Sequence, residues 1–147
     1  MVLAALPLPA FAGEDRAVTV LGMWYKLLLE LIRNTATYSP PVAARAFAYL
    51  GITVFEALAT GNPALRSLAG QVRDLPPLPE RDSAEYDEAC VLEAALAHAM
   101  AAHFGNTGPT GQRAMQAMAG KMAKVAGAGV AADVVVVAAA GNSAAST

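Results

Sequence analysis

Two adjacent prolines, Pro40 and Pro41, separate two long apolar stretches of the chain. Each lacks a backbone N–H, and its ring clashes with the preceding turn, so no helix runs through them. Upstream, Leu21, Trp24, Leu28 and Leu31 recur at three- and four-residue steps. That spacing predicts an amphipathic helix over about residues 17–32, with Asn34 and Thr35 closing it. Downstream, Ser39 is placed to cap a second helix, because its oxygen can accept from the unpaired N–H groups of the first turn. Proline suits the first helical position. The stretch "PVAARAFAYLGITVFEALAT" sets Val42, Ala46, Tyr49, Thr53 and Leu58 along one face. Gly61 fits a left-handed residue just past the helix end. Ser39, Pro40, Pro41 and Arg45 are therefore read as structural. Arg33 and Arg45 are expected to tie the corner to neighbouring carbonyls or carboxylates.

A long connection follows, Gly61 to Asp82, and "DLPPLPER" within it cannot be regular helix. A connector of this length is expected to wrap the surface or contact another segment. Ser83 is read as the start of a third helix, with Asp87 and Glu88 near the favourable N-terminal partial charge. "ACVLEAALAHAMAAHF" is apolar almost all round, which predicts burial on most sides. "GNTGPTG" breaks it, and Thr110 is expected to cap a fourth helix with Met115, Met118 and Met122 on one face. "ADVVVVAAA" fits strand by its valines and helix by its alanines; helix is preferred, since no partner strand is evident. "GNSAAST" reads as disordered. The predicted fold is all-α: a partial bundle of four to five helices with one long Pro-rich connection.

At 147 residues the chain suffices for one domain with a sizeable core. Its net charge of −2 does not point to nucleic acid, which calls for a basic face. A single cysteine, Cys90, excludes an internal disulfide framework and reads as a small buried residue. The run "VLAALPLPAFA" ends in Ala10-Phe11-Ala12 before polar "GEDR", the pattern of a signal-peptide remnant over residues 1–12. A basic n-region is absent. That reading implies a secreted or periplasmic protein. No membrane span is expected, because the apolar C-terminal run is interrupted by Asp133 and glycines.

Catalytic chemistry is sparse. His98 and His103 are five apart, about 140° around a helix, whereas paired ligands want three or four. No metal site is expected. His103 sits near a helix end where a positive charge suits the dipole. "GNTGPTGQR" lacks both the lysine and the preceding strand of a phosphate loop and reads as a connector. Gly-x-Ser-x-Gly does not occur. Glu80, Asp82, Glu85, Asp87 and Glu88 read as a solvated helix start.

From Trp24 to Gln71, "RNTATYSPPVAARAFAYL", "FEAL" and "RSLAGQ" together resemble the N-terminal helical region of bacterial vanadium-dependent haloperoxidase-like proteins, of the type 2 phosphatidic acid phosphatase superfamily. The resemblance covers about a third of the chain well and extends more loosely to Lys124. It implies that residues 13–127 form the N-terminal part of an all-α bundle, with residues 128–147 a tail. It further implies a parent that oxidises halide with peroxide or hydrolyses phosphate esters around a bound vanadate or phosphate. The family builds that pocket from Lys-x6-Arg-Pro, Pro-Ser-Gly-His and Ser-Arg followed by His. Lysine and arginine there neutralise the oxyanion. Pro-Ser-Gly-His and Arg-Pro are missing from this sequence. Lys26 and Arg33 imitate the first spacing, but Asn34 follows, and i, i+7 is ordinary helix-face spacing. No catalytic, cofactor-binding or metal-binding residue carries over, and no cofactor is assigned to this chain. The expectation is an inactive N-terminal helical fragment whose partner is the missing C-terminal half. The alternative is a self-standing helical interaction module that associates with a partner or with itself through its apolar third and methionine-faced fourth helices.

Overall fold

The computed structural model describes residues 10–79, 81 and 86–127. Among them are four helices: α1 (Ala10–Asn34), α2 (Pro40–Ala59), α3 (Glu88–His103) and α4 (Pro109–Ala126). No named strand accompanies them among the described residues, so the chain is all-α, as the periodicities predicted. Part of the expected signal-peptide remnant, residues 1–9, lies outside the described residues; Ala10 to Ala12 open α1. The tail from residue 128, with its expected helix and disordered end, also lies outside them.

α3 is the centre of the fold. It packs against α1, α2 and α4, and α1 also packs against α4. This follows from its composition: Ala89, Cys90, Val91, Leu92, Ala95, Leu96, Ala99 and Met100 are all buried. A helix apolar on every side must be covered on every side. α1 presents Ala17, Val20, Trp24, Leu28 and Leu31 to it, the stripe expected from three- and four-residue steps. Met115 and Met122 of α4 complete the core, with Met118 packed at its edge. The methionine face thus packs in or against the core.

Several boundaries differ from the sequence reading, each for a local reason. α3 begins at Glu88, not at Ser83, which lies outside the described residues. Asp87 is its N-cap, accepting from the N–H groups of Ala89 (3.0 Å) and Cys90 (3.3 Å). Aspartate is among the favoured N-cap residues, and its charge strengthens the hydrogen bonds that it accepts. α4 is capped by Gly108 with Pro109 at its first position, so Thr110 is already inside the helix. It ends at Gly127, whose φ of 81° is left-handed.

α2 does start at Pro40 after Ser39, but the Ser39 side chain makes no capping hydrogen bond; its backbone carbonyl accepts from Ala43 N–H at 2.9 Å. Pro41 at the second position removes one of the two donors that a cap side chain can serve. Its buried residues are Ala46, Leu50 and Glu56, whereas Val42 and Tyr49 are exposed. The expected face was rotated, because an apolar helix offers several stripes and only its neighbour chooses among them. By length and composition alone, α2 is long and apolar enough to cross a membrane, which the expectation of no span did not anticipate.

Candidate functional site

The corner between α1 and α2 is fixed by Thr37 and Tyr38, which the sequence reading passed over. The Tyr38 hydroxyl donates to the backbone carbonyl of His103 at 2.7 Å. Its ring stacks on Phe104 at 4.8 Å between centroids. Asn106 Nδ2 donates to Thr37 Oγ1 at 3.0 Å. One turn of chain therefore grips the end of α3, where unpaired helix carbonyls need donors. Burial raises the Tyr38 pKa, which keeps its hydroxyl a donor.

The arginines do less than expected. Arg33 reaches only Glu30, on its own helix, at 3.4 Å, with both side chains exposed. Arg45 is exposed and meets no partner among the described residues. Arg45 does not tie the corner; the buried residues beside it are Ala46 and Leu50. Ser39, Pro40 and Pro41 act through the backbone alone.

Two other residues hold the long connection. Glu56 is buried at 4% exposure, and its carboxylate accepts from Ser67 Oγ at 2.7 Å and Leu68 N–H at 2.6 Å. A buried carboxylate needs such donors to offset desolvation. "FEAL" and "RSLAGQ", separate in sequence, thus meet in space. Further along, Arg81 donates from Nη2 to the Ala57 carbonyl at 2.7 Å and from Nε to Thr60 Oγ1 at 3.0 Å. Its guanidinium also lies 5.6 Å from the centre of the Tyr86 ring. Gly61 is explained here: its backbone is not left-handed, but a Cβ would overlap the Arg81 guanidinium. The connection does contact another segment, the C-terminal half of α2.

At the opposite end, Arg16 joins three helices. It donates to the Ala126 carbonyl at 2.7 Å and pairs with Asp87 at 2.6 Å. Burial works against the Asp87 charge, but the Arg16 hydrogen bond and charge and the N–H groups of Cys90 and Ala89 outweigh it and lower the pKa. Cys90 is buried as expected, its thiol directed to the Ala126 carbonyl at 3.2 Å. Burial, then the Asp87 charge, pushes that thiol pKa up, which disfavours the reactive thiolate.

His98 is exposed, while His103 stacks on Tyr49 at 5.4 Å and its buried Nε2 has no hydrogen-bond partner. Desolvation lowers the His103 pKa. The charged imidazole expected at this helix end is thus disfavoured: burial outweighs the dipole, whose attraction is only about 0.3–1 kcal/mol. Among the described residues, no group of three His, Cys, Asp or Glu side chains gathers as a metal site would require. In "GNTGPTGQR", Gln112 Nε2 donates to the Phe104 carbonyl (3.0 Å) and to Thr107 Oγ1 (3.2 Å), so the stretch is a self-bonded connector between α3 and α4.

Among the described residues, an apolar groove of about 440 Å³ lies between α1 and α2. Val18, Leu21 and Tyr25 line one side, and Val54, Phe55 and Leu58 the other, with Gly22 and Gly51 on its floor. No ionisable group but Tyr25 lines it, and burial raises that pKa. Such a groove can hold apolar side chains; it offers no acid, base or oxyanion donor. Sequence periodicity did not reveal it, because it arises from the spacing of α1 and α2 on α3. Comparison with known protein families, curated proteins and solved structures finds no match to this chain.

Proposed function

We propose that this chain is the N-terminal helical scaffold of a vanadium haloperoxidase- or phosphatase-like protein, whose oxyanion-binding motifs lie outside this sequence. The observation that carries the reading is the Glu56 contact. The segments that bear the resemblance, "FEAL" and "RSLAGQ", are held together by a buried carboxylate with two donors. The corner at Ser39 likewise works as architecture, through Tyr38 and the end of α3. In this reading the scaffold is secreted or periplasmic, binds no vanadate by itself, and has the remaining helices of the fold as its partner. The test is the nucleotide sequence beyond the Thr147 codon, translated in all three frames. A Pro-Ser-Gly-His motif is expected there, and its absence from every frame would sink the proposal. Vanadate-dependent bromide oxidation by the chain alone would refute the claim that the site is missing.

A second reading, a self-standing interaction module, is favoured by uncovered apolar surface on α1, at the groove and beyond it. Val18 is 64% exposed and Leu29 52%, on the outward side of a helix whose inward stripe is fully used. Aligned exposed apolar groups mark interaction surfaces more often than isolated ones do. Cooperative unfolding of a monodisperse sample supports this reading, and a molten, aggregating chain rejects it.

A further inference from the structure

We propose that the groove between α1 and α2 is the docking site of the chain's own apolar run, residues 134–140. This contact goes beyond both readings of function and is compatible with either. Two apolar surfaces call for a cover. One is the groove, walled by Val18, Leu21 and Tyr25 on α1 and by Val54, Phe55 and Leu58 on α2, with no charged side chain among them. The other is "VVVVAAA", seven consecutive residues without a polar side chain, which lie outside the described residues. Removing both from water at once is favourable wherever the chain lets them meet.

The place where α4 ends brings them within reach. Gly127, with its positive φ of 81°, turns the backbone out of that helix. Arg16 of α1 holds the same point: it donates to the Ala126 carbonyl at 2.7 Å, and a Cβ on Gly127 would meet its guanidinium at 3.2 Å. Val18, two residues beyond Arg16, is the first residue of α1 to line the groove. The chain therefore leaves α4 at the level where the groove begins, on the other flank of α1. Passing round α1 takes about one helix diameter, 10–12 Å. Seven steps from Gly127 to Val134 reach up to about 23 Å. Val18 to Tyr25 spans about 10 Å of helix axis, the length that seven residues cover in the helical form the sequence favours. A tether this short gives an effective concentration on the order of millimolar. The run therefore docks ahead of a second copy or a separate apolar helix of equal affinity. Residues 1–9 are apolar too, but they join α1 at Ala10, about 12 Å beyond Val18 along the axis, and would have to double back.

Thiol labelling of the complete chain tests this, in a Cys90→Ala background with a reporter cysteine in the groove. Val54→Cys keeps the bulk of the wall, and Gly22→Cys probes the floor, where a Cβ meets nothing within 4 Å. Both cysteines are expected to react slowly and independently of protein concentration. Val135→Asp with Val136→Asp should speed both reactions at least about tenfold by opening the groove. The same pair of charges at Ser143 and Ser146 should not. The valine variant should also lower the urea midpoint and bind an apolar dye that the parent chain does not. Fast labelling in a cooperatively folded parent chain would overturn the docking and leave the module reading standing. Protection that survives the valine substitutions would overturn it as well. So would protection that rises with concentration alongside a dimer in sedimentation velocity, which would make a second copy the occupant. A molten, non-cooperative chain would remove the docking and the module reading together.

Discussion

At the scale of single residues, the polar groups that matter are those with buried partners. Glu56 serves two donors from a position 4% exposed. Replacing it with alanine leaves Ser67 Oγ and Leu68 N–H without their charged acceptor. A loss of about 2–3 kcal/mol is expected, read as a lower urea midpoint with an unchanged slope. Tyr38→Phe keeps the ring on Phe104 and removes only the bond to the His103 carbonyl. Its cost should be smaller, about 0.5–1.5 kcal/mol by the same measurement. If Arg45→Ala costs more than Tyr38→Phe, the corner is held differently from the way described. The sequence reading expected Arg45 to tie the corner to neighbouring carbonyls or carboxylates. It missed Tyr38 because nothing in a linear chain says that a tyrosine will meet a carbonyl 65 residues away.

Among the helices, α3 carries both the packing centre and a titratable weak point. His103 lies at its C-terminal end, stacked on Tyr49, and the hydroxyl of Tyr38 bonds only its backbone carbonyl. In the unfolded chain a histidine takes up its proton near pH 6.5. In the fold, desolvation pushes that uptake to lower pH. Between the two values the unfolded chain binds more protons, so folding stability rises with pH there. The contribution of the neutral ring is complete above the unfolded value and is lost as pH falls through it. Urea midpoints measured from about pH 7.5 down to 5.5 should therefore decline. His103→Gln should flatten that decline, and the exposed His98→Gln should not. An equal slope in the His103 variant would show that other groups are responsible. Helix existence was legible at all four elements, from periodicity in α1 and from apolar runs between breakers in α3, but the starts of α3 and α4 were not. Several neighbouring residues can cap, and packing of the helix body selects which one does.

For the molecule as a whole, Trp24 reports on the entire core. It is 1% exposed and packs where α1 meets α3, and its Nε1–H has no partner. Fluorescence should be blue-shifted and poorly quenched by acrylamide. Its red shift on unfolding should coincide with loss of helical circular dichroism if the four helices unfold together. Trp24→Ala should cost about 3–5 kcal/mol. Trp24→Phe should cost much less than half of that, because no indole hydrogen bond is given up. A large penalty for phenylalanine would mean that the indole N–H has a partner, such as a bound water.

The sequence by itself determined the helical class, the break at Pro40 and Pro41, the central burial of α3 and the inward stripe of α1. These are local or periodic properties: a missing N–H, a 3.6-residue repeat, an apolar circumference. Only the tertiary structure decided which stripe of α2 is buried and which residues lock the corner. It also joined Glu56 to Ser67, and gave a histidine suited to carrying charge a buried setting that disfavours that charge. Those outcomes depend on which distant atoms share a desolvated space. No linear spacing encodes that, because desolvation and partner geometry arise only once the helices have packed.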